Sequence, residues 1–221
     1  NGLAPWPYPD SPPPKQYPLT RGLHARTVTP VREPIEIPKA LRDYDFRFVK
    51  VRNPGDVYHD KDGTQKIANG KEAFEGDWQH SKNYAFDDPE LVRWLRAGNN
   101  YGVMGSERLI ILDADSPEMA EAINNLPSTF TVRTGGGGLH AYFRLDGKLP
   151  EKFPKAIHDP VRKDADGKPY HYGDIQRTSH QVVGPGSLHH SGRRYEGDEH
   201  LLGEITVEDI LEAFDDFLTP P

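Results

Sequence analysis

The 221-residue chain has no cysteine. Disulfides and thiolate zinc sites are therefore excluded, so no zinc is expected, and the composition fits an intracellular, cytoplasmic protein. Eighteen apolar residues never run together, so no membrane span is expected, and no secretory signal is visible. The chain also begins without Met and is taken as part of a longer protein. No G-x-x-x-x-G-K-[ST] loop occurs, and no repeat of fixed period appears. His171, His180, His189 and His190 crowd one region, but their spacing fits no standard zinc site, and they read as surface or satisfied histidines.

Positive charge is in short supply, with a formal net charge of -7. Its distribution says more. Residues 1–52 carry nine Lys/Arg against five Asp/Glu, whereas residues 196–221 carry nine Asp/Glu and no Lys/Arg. The acidity belongs largely to the tail, and the front of the chain can meet phosphates. The length suits one good-sized domain or two small ones.

Many of the 21 prolines fall within residues 1–38, including Glu33-Pro34-Ile35-Glu36-Ile37-Pro38. Proline fixes φ and donates no hydrogen bond, so this stretch is expected to be an extended arm outside the core. A catalytic domain is expected over 39–200 and an acidic helix over 201–221. Alternation predicts a strand at 44–51, followed by loops over 52–82, where Lys66 stands out and Trp78 reads as a packing anchor. Asp88-Pro89 starts a helix that Gly98 closes, and Ser116-Pro117 starts another that runs to about Asn124. Strands are expected at 101–104, 129–133, 139–144, 170–175 and 181–183. Thr206 caps a last helix, with Asp209 at the capping-box position and Ile210, Leu211, Phe214, Phe217 and Leu218 as its apolar stripe.

Between the first two helices, Leu109-Ile110-Ile111-Leu112 reads as a short buried strand, and it runs into Asp113-Ala114-Asp115. Residues i and i+2 of a strand share a face, so the two carboxylates point the same way. Like charges that close raise one pKa unless a cation sits between them, and a hard divalent ion suits such oxygens. The bland alternative is a strand entering a solvated acidic turn. Glycines 135–138 lie between two strand patterns, so they read as a tight hairpin with backbone open to a ligand, and His140 follows directly. A Walker or dinucleotide loop would instead need a helix after the glycines. This order of elements predicts an α+β fold with mostly antiparallel sheets and flanking helices.

Asp113-x-Asp115, Gly137-Gly138-x-His140 and Asp174 occur in an order that resembles the primase-polymerase branch of the archaeo-eukaryotic primase superfamily. Further parts of the pattern are Lys66, Trp78, the stretch 100–105, Leu126-Pro127-x-Thr129, Thr134, the stretch 182–187 and Ser191-Gly192. The resemblance implies an RRM-like catalytic core with the active site in a cleft between two sheet-based subdomains. It implies template-dependent nucleotidyl transfer, as DNA polymerase or primase, in plasmid, viral or mobile-element replication. Asp113, Asp115 and Asp174 would be catalytic and would hold two Mg²⁺ or Mn²⁺ ions. His140 would touch the incoming dNTP or NTP, with Gly138 standing where the family has a hydroxyl residue. Ser187 would lie near the same nucleotide. Arg133, Arg144 and Arg177 are candidates for triphosphate or template contacts. The partners would be single-stranded or primer-template DNA, and the wider protein would carry a helicase part.

Three other readings fit part of the pattern. A nucleotide-sugar glycosyltransferase also holds a metal-bound diphosphate on a D-x-D, but would not need Asp174. A phosphohydrolase with an aspartyl nucleophile would want alternating parallel strands and helices. A non-catalytic single-strand-binding module would need no metal.

Overall fold

The computed structural model describes residues 32–218, with only the backbone at Pro160, Asp216 and Leu218. Most of the expected arm, residues 1–31, lies outside that range. In chain order, β1 is Phe48–Lys50, β2 Val57–His59 and β3 Gln65–Ile67, and α1 is Pro89–Arg96. β4 is Tyr101–Met104, β5 Leu109–Ala114, α2 Pro117–Asn124, β6 Phe130–Arg133 and β7 Leu139–Asp146. β8 is Ala156–Lys163, β9 Pro169–Gln176, β10 Gln181–Val183, β11 Glu196–Gly197 and β12 Gly203–Thr206. Two short helices end the chain, α3 at Val207–Ala213 and α4 at Asp215–Leu218.

Two sheets carry the domain. A seven-stranded sheet runs β11-β6-β7-β5-β9-β8, with β12 also paired to β7, and a three-stranded sheet runs β1-β4-β10. A separate hairpin, β2-β3, stands in the stretch expected to be loops. All pairings between these strands are antiparallel except β12 with β7. β7 is long enough to serve two partners on one edge. β6 takes residues 139–142, and β12 takes residues 143–146.

β5 is apolar throughout its first four residues because both of its faces are covered. On one face, Leu109 and Ile111 join Phe130, Val132 and Tyr142 against Phe48, Tyr101, Val103 and Val182 of the smaller sheet. On the other, Ile110 and Leu112 pack with Met119 and Ile123 of α2, Ile210 of α3, and Phe214. The next residue on the first face after Ile111 is Asp113.

The helix starts follow their sequence signals. Asp88 accepts from the Glu90 amide at 2.8 Å, Ser116 from the Met119 amide at 3.2 Å, and Thr206 with Asp209 closes a capping box. Other expectations need correction. The strand at 44–51 shrinks to Phe48–Lys50, because residues 44 and 45 form a turn. The Pro-rich segment is not wholly an arm, since Ile35 and Ile37 are buried in the core and the Ile35 amide bonds the Leu95 carbonyl at 3.0 Å. Leu211, placed in an apolar stripe, is 45% exposed.

Two buried phenols, Tyr101 and Tyr142, have hydroxyls without a hydrogen-bond partner. Burial pushes both well above the ordinary phenol range. An unpaired buried hydroxyl costs desolvation that a phenyl ring does not. Tyr101→Phe should therefore leave stability unchanged or raise it by about 1 kcal/mol in urea denaturation. A clear loss of stability would contradict the unpaired hydroxyl.

Candidate active site

The acidic site is assembled by strand register. Asp113 on β5 lies directly opposite His140 on β7 and directly opposite Asp174 on β9. Residues facing each other across antiparallel strands share a sheet face. One aspartate, one histidine and a second aspartate thus stand abreast at the end of three neighbouring strands. Asp115 follows two residues beyond Asp113, and its amide bonds the Tyr172 carbonyl of β9 at 3.0 Å.

Two glycines let the strands close in here. A Cβ on Gly138 would sit 2.7 Å from the Ala114 carbonyl oxygen, and one on Gly173 would sit 2.1 Å from the Asp113 carbonyl oxygen. Gly173 also has φ +155, a backbone region that side chains disfavour. Gly138 leaves no room for the hydroxyl residue of the related pattern. Its amide instead donates to the Thr134 hydroxyl at 2.8 Å. The 135–138 run forms a hairpin, as expected, with Gly135 buried and Gly136 exposed. His189 fills the place of a Cβ on Gly135, and the Ser191 hydroxyl donates to the Gly135 carbonyl at 3.0 Å.

Electrostatics mark the cluster as short of positive charge. Burial, then the charges of Asp115 and Asp174, push the Asp113 carboxyl up to about 7, against opposing effects of Lys71 and Gln176. Asp115 is raised mainly by burial, with His171 opposing. Burial holds His140 down to about 3, so the ring is neutral and its Nε2, 3.3 Å from Asp113 Oδ1, makes no ion pair. Its Nδ1 has no partner. The His140 side chain is only 5% exposed, so its neighbour is Asp113 rather than solvent.

Sequence reasoning missed three neighbours. His171 lies within 3.4 Å of both Asp115 and Asp174. Gln176, two residues beyond Asp174 on the same face, donates to Asp174 Oδ2 at 3.4 Å. Lys71 is exposed, yet its charge reaches Asp113, Asp115, His140 and His189. Its backbone is fixed by Glu72, which accepts from the amides of 69–71, and by Gln181 Nε2 on the Lys71 carbonyl at 3.1 Å.

Several expected residues stand elsewhere. Lys66 pairs with Asp60 at 2.9 Å within the β2-β3 hairpin. Arg133 is one register position from the Val132–His140 pair, so it leaves the opposite face of the sheet. Arg144 shares His140's face but lies four residues along β7, roughly 13 Å away, bonded to Asp43 and stacked on Phe46. Arg177 reaches toward the Pro150 and Glu151 carbonyls at 3.4 Å. Ser187 is fully buried, and its hydroxyl accepts from the Tyr101 amide at 3.3 Å. It braces β4 rather than standing among the acids.

Among the described residues no three His, Asp or Glu side chains converge on one ion position. The donor set would suit a hard divalent cation, because three carboxylates lie within electrostatic reach of one another and the charges of Asp115 and Asp174 add to burial in raising Asp113.

Comparison with known families gives the class first: residues 18–207, most of the chain, match a family of nucleotide-polymerising enzymes. That family is Prim-Pol, described as bifunctional DNA primase/polymerase, N-terminal, and the chain belongs to it. No curated protein matches the chain. No described helix is long and apolar enough to cross a membrane.

A pH prediction follows from Asp113. With its carboxyl raised in the ion-free fold to about 7, above an unfolded value of about 4, the native state holds a proton that the unfolded chain releases. Stability from this group is present below that window and lost as pH rises through it. In EDTA, Asp113→Asn should melt higher than the wild type at pH 8, with the gap closing toward pH 4. Thermal scans that give the same gap at both pH values would contradict it.

Proposed function

We propose that Asp113, Asp115 and Asp174 hold two divalent cations, Mg²⁺ or Mn²⁺, and that the domain adds nucleotides to a primer strand on a DNA template. The observation that carries this reading is the register that sets Asp174 and His140 on either side of Asp113. A glycosyltransferase has no use for a third carboxylate in that position. Phosphoryl transfer asks a protein mainly for positioning and charge neutralisation. The ions would activate the primer hydroxyl and neutralise the departing pyrophosphate. The chain's own residues do the rest. Sheet pairing fixes the Asp113 and Asp174 carboxylates, neutral His140 orients Asp113, and Gln176 steadies Asp174.

The three arginines are replaced in this proposal by Lys71, the cation whose charge reaches the cluster. A compact ammonium on a flexible stem suits a triphosphate as a point charge. Contacts to template would fall mainly on phosphates and be sensitive to salt.

The decisive experiment supplies a single-stranded template, with and without primer, labelled dNTPs or NTPs, and Mg²⁺ or Mn²⁺. Wild-type protein should extend the primer. Asp113→Ala, Asp115→Ala and Asp174→Ala should each abolish addition, with circular dichroism unchanged. Full extension by folded Asp174→Ala would sink the triad. In the same assay Lys71→Ala should raise KM for the nucleoside triphosphate about tenfold, the size of a lost charged contact of roughly 1.4 kcal/mol, and leave template affinity in gel shifts within twofold. An unchanged KM would remove Lys71 from the nucleotide site.

A further inference from the structure

His171 sits three residues before Asp174 on β9. In a regular strand such residues point to opposite faces. Here they do not, because β9 carries one extra residue. Across the β8-β9 ladder Ile157 faces Gly173, but the next residue, His158, faces His171 rather than Tyr172. This is a β-bulge, the device by which a strand re-aims a side chain. It turns His171 onto the face that already holds Asp174.

The re-aimed ring lies between two carboxylates. Its Nδ1 is 3.4 Å from Asp115 Oδ2, and its Nε2 is 3.4 Å from Asp174 Oδ1. His158 packs on the ring, with centroids 4.9 Å apart. Asp174 has a second partner in Gln176. Asp115 does not: its side chain is 54% exposed and beyond the end of β5, and His171 is its one ion-pair or hydrogen-bond partner among the described residues. Each carboxylate has two oxygens, so engaging Asp115 Oδ2 leaves Oδ1 open.

We infer that His171 is a positioning residue that ties Asp115 to Asp174 and sets the affinity of the cluster for a divalent cation. The inference rests on the metal reading proposed above. Without the ring, Asp115 is free to rotate into solvent, away from the other two carboxylates. Partners that orient metal-binding groups in this way typically account for 10- to 100-fold in affinity.

The test is Mn²⁺ binding to the protein alone, followed by the EPR signal of free Mn²⁺ or by calorimetry. His171→Ala should weaken binding about 10- to 100-fold, while its melting temperature in EDTA stays within a few degrees of wild type. His171→Asn, which keeps a donor on the Nδ1 side, should recover part of the affinity. In an Asp115→Ala background, removing His171 should cost much less, because its effect runs through Asp115. Primer extension by His171→Ala should need correspondingly more Mn²⁺ and approach the wild-type rate at saturation. Equal Mn²⁺ affinity in wild type and His171→Ala overturns this inference while leaving the triad standing. Absence of Mn²⁺ binding by the wild type overturns the triad and the inference together.

Discussion

The domain is organised by the pairing of β5 with its two neighbours. A strand buried on both faces can be apolar only while both faces are covered. The apolar run on one face ends at Ile111, and the next residue on that face is Asp113. The same hydrogen bonds that fix the core therefore fix where the acids lie. Asp113 cannot slide relative to His140 or Asp174 without every residue of β5 changing its neighbours and, for an odd shift, its face. Carboxylates that repel one another are held together by sheet hydrogen bonds and apolar packing elsewhere, which is how a site can be kept ready for a cation.

The strands on either side have to come close to do this. Gly138 on one side and Gly173 on the other face backbone carbonyls of β5 at its acid end. They are the places where a side chain would push the sheet apart. The glycine hairpin shares in this work. It packs on the segment around His189 and Ser191, and so links β6 and β7 to the loop that also receives Asn100.

Features set by local chemistry were legible in the sequence. Strand β5 with Asp113 and Asp115 at its end, the proline-started helices, the capping box and the glycine hairpin with His140 after it announce themselves within a few residues, whereas Asp174 is singled out only by the family resemblance. What the sequence hid depends on contacts between distant positions. Nothing local tells that the Ser187 hydroxyl would meet Tyr101, 86 positions away. Likewise the charge of Lys71 reaches the acids, while Lys66 is paired with Asp60 within the β2-β3 hairpin. Arg133 and Arg144 stand apart from the acids by strand geometry, one on the opposite face and one farther along the same face. His171 was obscured by an irregularity that strand periodicity cannot register. Ile35 and Ile37 did carry a visible signal, alternation with Pro and Glu, which the density of prolines outweighed.

The parallel pairing of β12 with the second half of β7 has a consequence for biosynthesis. Some sixty residues separate the two partners, so half of one edge of β7 stays bare while β8 to β11 are being made. Phe143 and Leu145 can be sealed only when residues 205–214 emerge and bring Ile205, Ile210 and Phe214 with them. Such long-range closure is slow and leaves sticky surface open meanwhile. A ribosome that stalls between β7 and β12 would therefore display an incomplete sheet, and the nascent chain would be a customer for chaperones until its last segment docked.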